Sequence, residues 1–300
     1  MKKIIIYLLA LTLTGCLYSC DDDKPSGHSI FPTDEEEGSE FDQWLLYNYI
    51  YPYNIEVKYK MEDIESSMDY TLAPALPNKC VALAKLIKYL WLEAYDEVAG
   101  VTFTRTYTPR IIHMIGSGAY NKNNTVVLGT AEGGLKITLY RVNDINPEKV
   151  TVAELNDAYL KTMHHEFAHI LHQTKNYSTD YQNITGTDYI GDEWSSISQT
   201  LPMARSLGFV SQYARKAPDE DFVEMIAIFV TRDQDAWEAI LASADVKVEG
   251  RDKTGKELLL EKFEIVKDYL KNSWNIDIYK LRTVVQRRGD SIDQLDLTHI

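Results

Sequence analysis

The sequence predicts an α+β fold, on three observations. Short strand-like runs crowd between residues 55 and 140, the chain beyond Thr151 carries almost wholly helical patterning, and no repeat or low-complexity tract breaks the part that starts at Phe41. Strands first and helices after imply a small N-terminal sheet and a mostly helical C-terminal lobe. The bulk properties agree with a globular domain: 300 residues, 45% hydrophobic, 25% charged, with only 9 Pro and 15 Gly. A net charge of -14 leaves no clustered basic face for a nucleic acid, so that class of partner is excluded.

The N-terminus carries a separate message. Lys2 and Lys3 precede an apolar run, Ile4 to Leu13, too short to span a bilayer. It ends in two adjacent boxes with small residues before a cysteine, Leu13-Thr14-Gly15-Cys16 and Leu17-Tyr18-Ser19-Cys20. The expectation is a lipoprotein signal peptide over residues 1–19, lipidated at Cys20 in preference to Cys16, because Asp21, Asp22 and Asp23 follow Cys20 as an acidic tether to an outer surface. Residues 20–40 then read as a solvated acidic tether, and 41–300 as the folded domain, with lobes of about 41–175 and 176–300. With the mature chain starting at a lipidated Cys20, Cys80 has no partner and reads as a small buried hydrophobe.

Along the domain, Phe41, Trp44, Leu45 and Tyr49 stand at helical spacing, and Ile55 to Tyr59 alternates as a strand. Residues 81–95 form a second amphipathic helix. Strand-like runs follow at Arg110 to Ile115, Thr125 to Leu128 and Leu135 to Tyr140, the last two joined through Gly129-Thr130-Ala131-Glu132-Gly133-Gly134, a turn-rich segment that suits a hairpin. Either of those last two strands is a candidate edge for an extended peptide.

The informative stretch is Thr151 to Gln173. It opens with a capping box, Thr151-x-x-Glu154, and runs free of Gly and Pro, so it is a helix. His165-Glu166-Phe167-Ala168-His169 is an H-E-x-x-H pattern: residues four apart lie about 40° apart around a helix, so two imidazoles reach one ion. Leu160, Met163, Phe167, Ile170 and Leu171 lie within about 60° of the opposite direction, so one side is buried and the other presents the histidines. With seven His in the chain, a chance match has a probability on the order of 0.01. This chemistry is that of a zinc-dependent hydrolase, with His165 and His169 as ligands and Glu166 as the base that takes a proton from the attacking water.

A catalytic zinc wants a third protein ligand. His172 shares the histidine face but lies about 10 Å along the axis from His165, which suits a supporting role. Glu220 is the preferred candidate, near the start of a helix that Pro218 opens, with Asp221 and Glu224 as alternatives. Glu224, one turn on, can instead accept the outer N–H of a ligand histidine. Tyr213 is a candidate donor to a developing oxyanion.

The stretches HHEFAHILHQ, LGFVSQYARKAPDEDFVEM and FDQWLLYNYIYPYNIEVKYK resemble the lipoproteins called substrate import-associated zinc metallohydrolases, over nearly all of residues 41–300. The order Tyr213, Glu220, Glu224 is similar to the tyrosine, ligand glutamate and supporting glutamate of lethal-factor-type peptidases in the gluzincin clan. The resemblance implies a zincin-like fold, a Zn2+ cofactor, and an outer-membrane lipoprotein accompanying a TonB-dependent nutrient importer and its binding lipoprotein. A metallopeptidase acting on peptide or glycopeptide is the expected activity. The alternatives are a zinc amidase or deacetylase of glycan fragments, and a binding module that holds zinc without catalysis.

Overall fold

The computed structural model describes residues 38–61, 70–120, 126–127, 129–132 and 135–300. The signal peptide, Cys16, Cys20 and nearly all of the acidic tether lie outside the described residues. Glu40–Ile300 forms one compact unit, and among the described residues no helix is long and apolar enough to cross a membrane.

The unit opens with a helical run over residues 40–53 (α1), whose middle turn widens at Leu46–Ile50 and which stops where Asn54 adopts a left-handed φ of 57°. The chain then forms β1 (Glu56–Lys58), a long helical run over 77–99 (α2) started by Pro77 and ended by Gly100 at φ 91°, and α3 (Val101–Tyr107). Five strands follow: β2 (Ile111–Met114), β3 (Ala119–Tyr120), β4 (Val126–Val127), β5 (Gly129–Glu132) and β6 (Lys136–Leu139). From there the chain is helical, with α4 over 152–174, α5 (Asp180–Ile184), α6 (Leu201–Ser206), α7 (Pro218–Thr231), α8 (Gln234–Ala244), α9 (Gly255–Trp274) and α10 (Ile278–Gly289).

The fold is mixed α/β, mostly helical, with a small and mainly parallel sheet of order β1-β2-β6-β5. Ile112 stands between Val57 and Ile137 in a parallel register, and only β5 runs antiparallel, pairing Ala131 with Ile137. Three sequence expectations change here. Helices α2 and α3 lie between β1 and β2, so strands do not simply precede helices; a parallel pair needs such a crossover. The run Leu135 to Tyr140 is not an edge: β6 is interior, bonded on both sides, and Ile137, Thr138 and Leu139 are all buried. The segment read as a hairpin turn, 129–132, is itself the edge strand, while Val126–Val127 pairs with β3 in a separate two-stranded sheet.

The core between sheet and helices is continuous and aromatic. Phe167, on the buried side of α4, is 0% exposed, with the rings of Tyr95, Trp91 and Phe103 at 4.8, 5.5 and 5.9 Å. Replacing it by alanine removes those contacts and leaves a cavity, so Phe167→Ala should cost about 3–5 kcal/mol. Urea denaturation of the domain measures this. Cys80 is buried in α2 and free, and burial pushes its thiol up to about 12, consistent with a packing role.

Candidate metal centre

Helix α4 begins as its sequence dictates. Thr151 and Glu154 form the reciprocal cap, the Glu154 N–H donating to Thr151 Oγ1 at 3.3 Å and the Thr151 N–H to Glu154 Oε2 at 3.2 Å. One wide turn at Asn156–Leu160 precedes the regular helix Lys161–Thr174. Met163, Phe167 and Leu171 turn inward, and the opposite side packs along α7. Pro218 stands in the first turn of α7, with Asp219, Glu220 and Asp221 at the positive end of its dipole.

Between the two helices, His165, His169 and Glu220 converge. Glu220 Oε2 is 3.1 Å from His165 Nε2 and 3.3 Å from His169 Nε2, and the three donor atoms lie within 4.8 Å of one another. Two imidazoles and a carboxylate are the borderline donor set that zinc takes at catalytic sites, and spacings near 3 Å are those of neighbouring ligands around one ion of that size, so the residues fit the metal. Burial alone would raise Glu220, but hydrogen bonds from His165 and His169 more than offset it and hold its carboxyl far below the usual range. Burial likewise pulls His165 down, and Glu220 and Glu224 outweigh it, lifting the imidazole to about 9.

The outer nitrogens are also engaged. His165 Nδ1 donates to Glu224 Oε1 at 3.0 Å, which directs Nε2 toward the shared point. Glu224 is 1% exposed, yet Lys161 Nζ lies 2.9 Å from Oε1 and Ser211 Oγ donates to Oε2 at 2.6 Å. Its carboxyl is held down at about 2: burial raises it, and Lys161, His165 and Ser211 together outweigh burial. His169 Nδ1 meets His172 Nε2 at 2.9 Å, and burial draws His172 down, so that ring offers an unprotonated acceptor.

Asp221 takes no part in the cluster. It is fully buried on another side of α7, where Lys262 Nζ donates to Oδ2 at 2.6 Å and the Tyr189 hydroxyl at 2.9 Å. His164, beside His165 in sequence, also turns away: it is 0% exposed, contacts the Tyr95 hydroxyl at 3.0 Å, and burial drives it down to about 3.

Glu166 is partly buried next to the cluster, and burial pushes its carboxyl up, against the pull of His165 and His169. Tyr213 stands on the turn Tyr213–Lys216, its ring 5.8 Å from that of His165 and 4.9 Å edge-on from Trp194. Burial first, and the Glu220 carboxylate next, keep its hydroxyl protonated far above the usual range, so it is a donor. The strand β5 runs beside α4 and leaves one edge of the sheet unpaired among the described residues.

Lys161, Trp194, Ser211 and Lys216 were not picked out by sequence reasoning. Lys161 alone carried a local signal, since it lies four residues before His165 on the same helix. Trp194 comes from a single 3-10 turn, Gly191–Ser195, and Ser211 from a loop, where spacing says nothing about contact.

No curated protein matches the chain. A crystal structure described as that of a "putative zinc-binding metallo-peptidase from Bacteroides caccae ATCC 43185", at 2.10 Å resolution, is 44% identical, with a TM-score of 0.74 over 91% of this chain and 100% of that one. The model of the family described as "Putative zinc-binding metallo-peptidase", whose metal is thus zinc, matches residues 34–279. With that match spanning most of its length, and with two histidines and a glutamate gathered between α4 and α7, the chain belongs to this zinc-binding metallopeptidase family.

Proposed function

We propose that the protein is a zinc-dependent metallopeptidase of the gluzincin type that cleaves peptide or glycopeptide bonds, carried on a lipid anchor at Cys20 on the outer membrane and associated with a TonB-dependent nutrient importer and its binding lipoprotein. The observation that carries the catalytic part is the convergence of His165 Nε2, His169 Nε2 and Glu220 Oε2 with Glu166 one residue along the helix from His165. Zinc held there supplies Lewis acidity, which polarises a carbonyl and makes water a nucleophile at neutral pH. Glu166 takes the proton of the attacking water and passes it to the leaving amine nitrogen. Tyr213, held protonated, donates to the oxygen that develops negative charge. Glu224 and His172 fix the two ligand imidazoles in the tautomer with Nε2 free. The edge of β5 left unpaired among the described residues, beside α4, gives an extended substrate a strand to pair with. The anchor and the importer rest on the N-terminal sequence and the family resemblance.

The test is the soluble chain, residues 21–300, incubated with a random peptide mixture and with glycopeptides. Cleavage is expected, lost on treatment with a zinc chelator and restored by added zinc. A zinc-loaded protein that cleaves neither pool, or that deacetylates glycan fragments instead, would overturn the peptidase reading.

A further inference from the structure

Lys216 closes the turn Tyr213–Lys216 and reaches into the metal centre from its solvent side. Its Nζ donates to the Tyr213 hydroxyl oxygen at 3.2 Å and to Glu220 Oε1 at 3.1 Å. A lysine four residues before a glutamate is ordinarily an exposed helix pair. Here the glutamate is only 16% exposed and turns its other oxygen, Oε2, to the two histidine nitrogens. The same ammonium lies 5.2 Å from the centre of the Tyr213 ring.

We infer that Lys216 is a positioning residue that divides the labour of Glu220 and Tyr213: it occupies Oε1 so that the carboxylate offers the metal Oε2 alone, and it occupies the Tyr213 oxygen so that the phenolic proton is left to donate. An ammonium has three donors and no lone pair, so whatever it contacts is used as an acceptor. A carboxylate can give a cation one oxygen or two. With Oε1 engaged by Lys216, one oxygen and two imidazoles make three protein ligands, and the fourth place stays open. The Tyr213 oxygen, accepting from Lys216, keeps one O–H. That proton is free to turn to an oxygen gaining charge. The adjacent positive charge also makes the phenol a stronger donor, because it stabilises charge built up on the phenolic oxygen.

This inference rests on the zinc-peptidase reading, and the experiment separates the two. Cobalt(II), whose visible absorption weakens as a site gains ligands, replaces zinc in the soluble wild type, Lys216→Met and Lys216→Arg. Metal content and peptide hydrolysis are followed in parallel. Lys216→Met should keep one metal per chain but lose absorption intensity as Glu220 turns its second oxygen inward. Its kcat should fall about 10–100-fold, the range of residues that act on a metal site through its ligands, with KM little changed. Lys216→Arg should restore the spectrum. An unchanged cobalt spectrum in Lys216→Met overturns the assignment to Glu220, and an unchanged kcat overturns the assignment to Tyr213. A wild type that takes up no cobalt or zinc would sink the metal-site reading itself. A wild type that binds metal but hydrolyses nothing would sink the peptidase reading and with it the role given to Tyr213, while the spectrum would still decide the role of Lys216 on Glu220.

Discussion

Glu166→Gln should retain zinc and lose hydrolysis by about 10²–10⁴-fold. Glutamine keeps the shape and the hydrogen-bonding reach of the side chain and removes only its capacity to take a proton. Glu166 is not among the three converging donors, so metal content should stay near one per chain. Its neighbours in charge are His165, His169, Glu220 and Lys216, and burial raises its carboxyl, which moves a carboxylate toward the basicity a proton carrier needs near neutral pH. The measurement is kcat/KM against one cleaved peptide, with elemental analysis of the same preparation. A loss of this size is about 3–5 kcal/mol of transition-state stabilisation, larger than a packing defect at a half-buried position would give without unfolding. Full activity in the variant would remove Glu166 from the proton path and leave some other group as the base.

The histidine pair was legible because its geometry is local. Spacing of four on an uninterrupted helix with a capping box fixes where two side chains point, and the inward set of Met163, Phe167 and Leu171 fixes which way the helix is turned. The third donor is a different kind of problem, since Glu220 lies 51 and 55 residues from its partners and its contact is made by packing α4 on α7. Sequence alone left Glu220, Asp221 and Glu224 open; one residue of rotation about α7, roughly 100°, is what separates Glu220 from Asp221. The sheet was less legible still. Gly129 to Glu132 holds few strand formers and reads as a turn, yet the ladder to β6 makes it a strand, a case of tertiary pairing overriding propensity. Nor does periodicity say that α2 and α3 cross over between β1 and β2, because parallel pairing joins segments far apart in the chain. Trp194 beside Tyr213, each on a short 3-10 turn, and Ser211 on Glu224 from a loop are contacts that no sequence period signals.

Three of the carboxylates in the first half of α7, Glu220, Asp221 and Glu224, should respond to substitution in three distinct ways. Glu220→Ala leaves two imidazoles, one ligand fewer than a catalytic zinc needs, so the purified chain should lose most of its zinc, and with it all hydrolysis. Glu224→Ala keeps the three donors but frees His165 Nδ1, so zinc should still bind, about 10–100-fold more weakly. Asp221→Ala touches no donor and instead leaves the Lys262 ammonium, 0% exposed, without its ion-pair partner. Stranding a buried charge of this kind costs about 3–5 kcal/mol, so the expected signature is a lower denaturation midpoint, in metal-free and zinc-loaded protein alike. Zinc titration against a competing chelator and urea denaturation, run on the same three proteins, read the two quantities separately. Zinc loss in Asp221→Ala at unchanged stability, with zinc kept in Glu220→Ala, would move the third ligand from Glu220 to Asp221 and undo the geometry argued for α7. The pattern expected here has a single physical source: on one helix, successive carboxylates face a metal site, a lysine in the core and a ligand imidazole, and each is stabilised by what it faces.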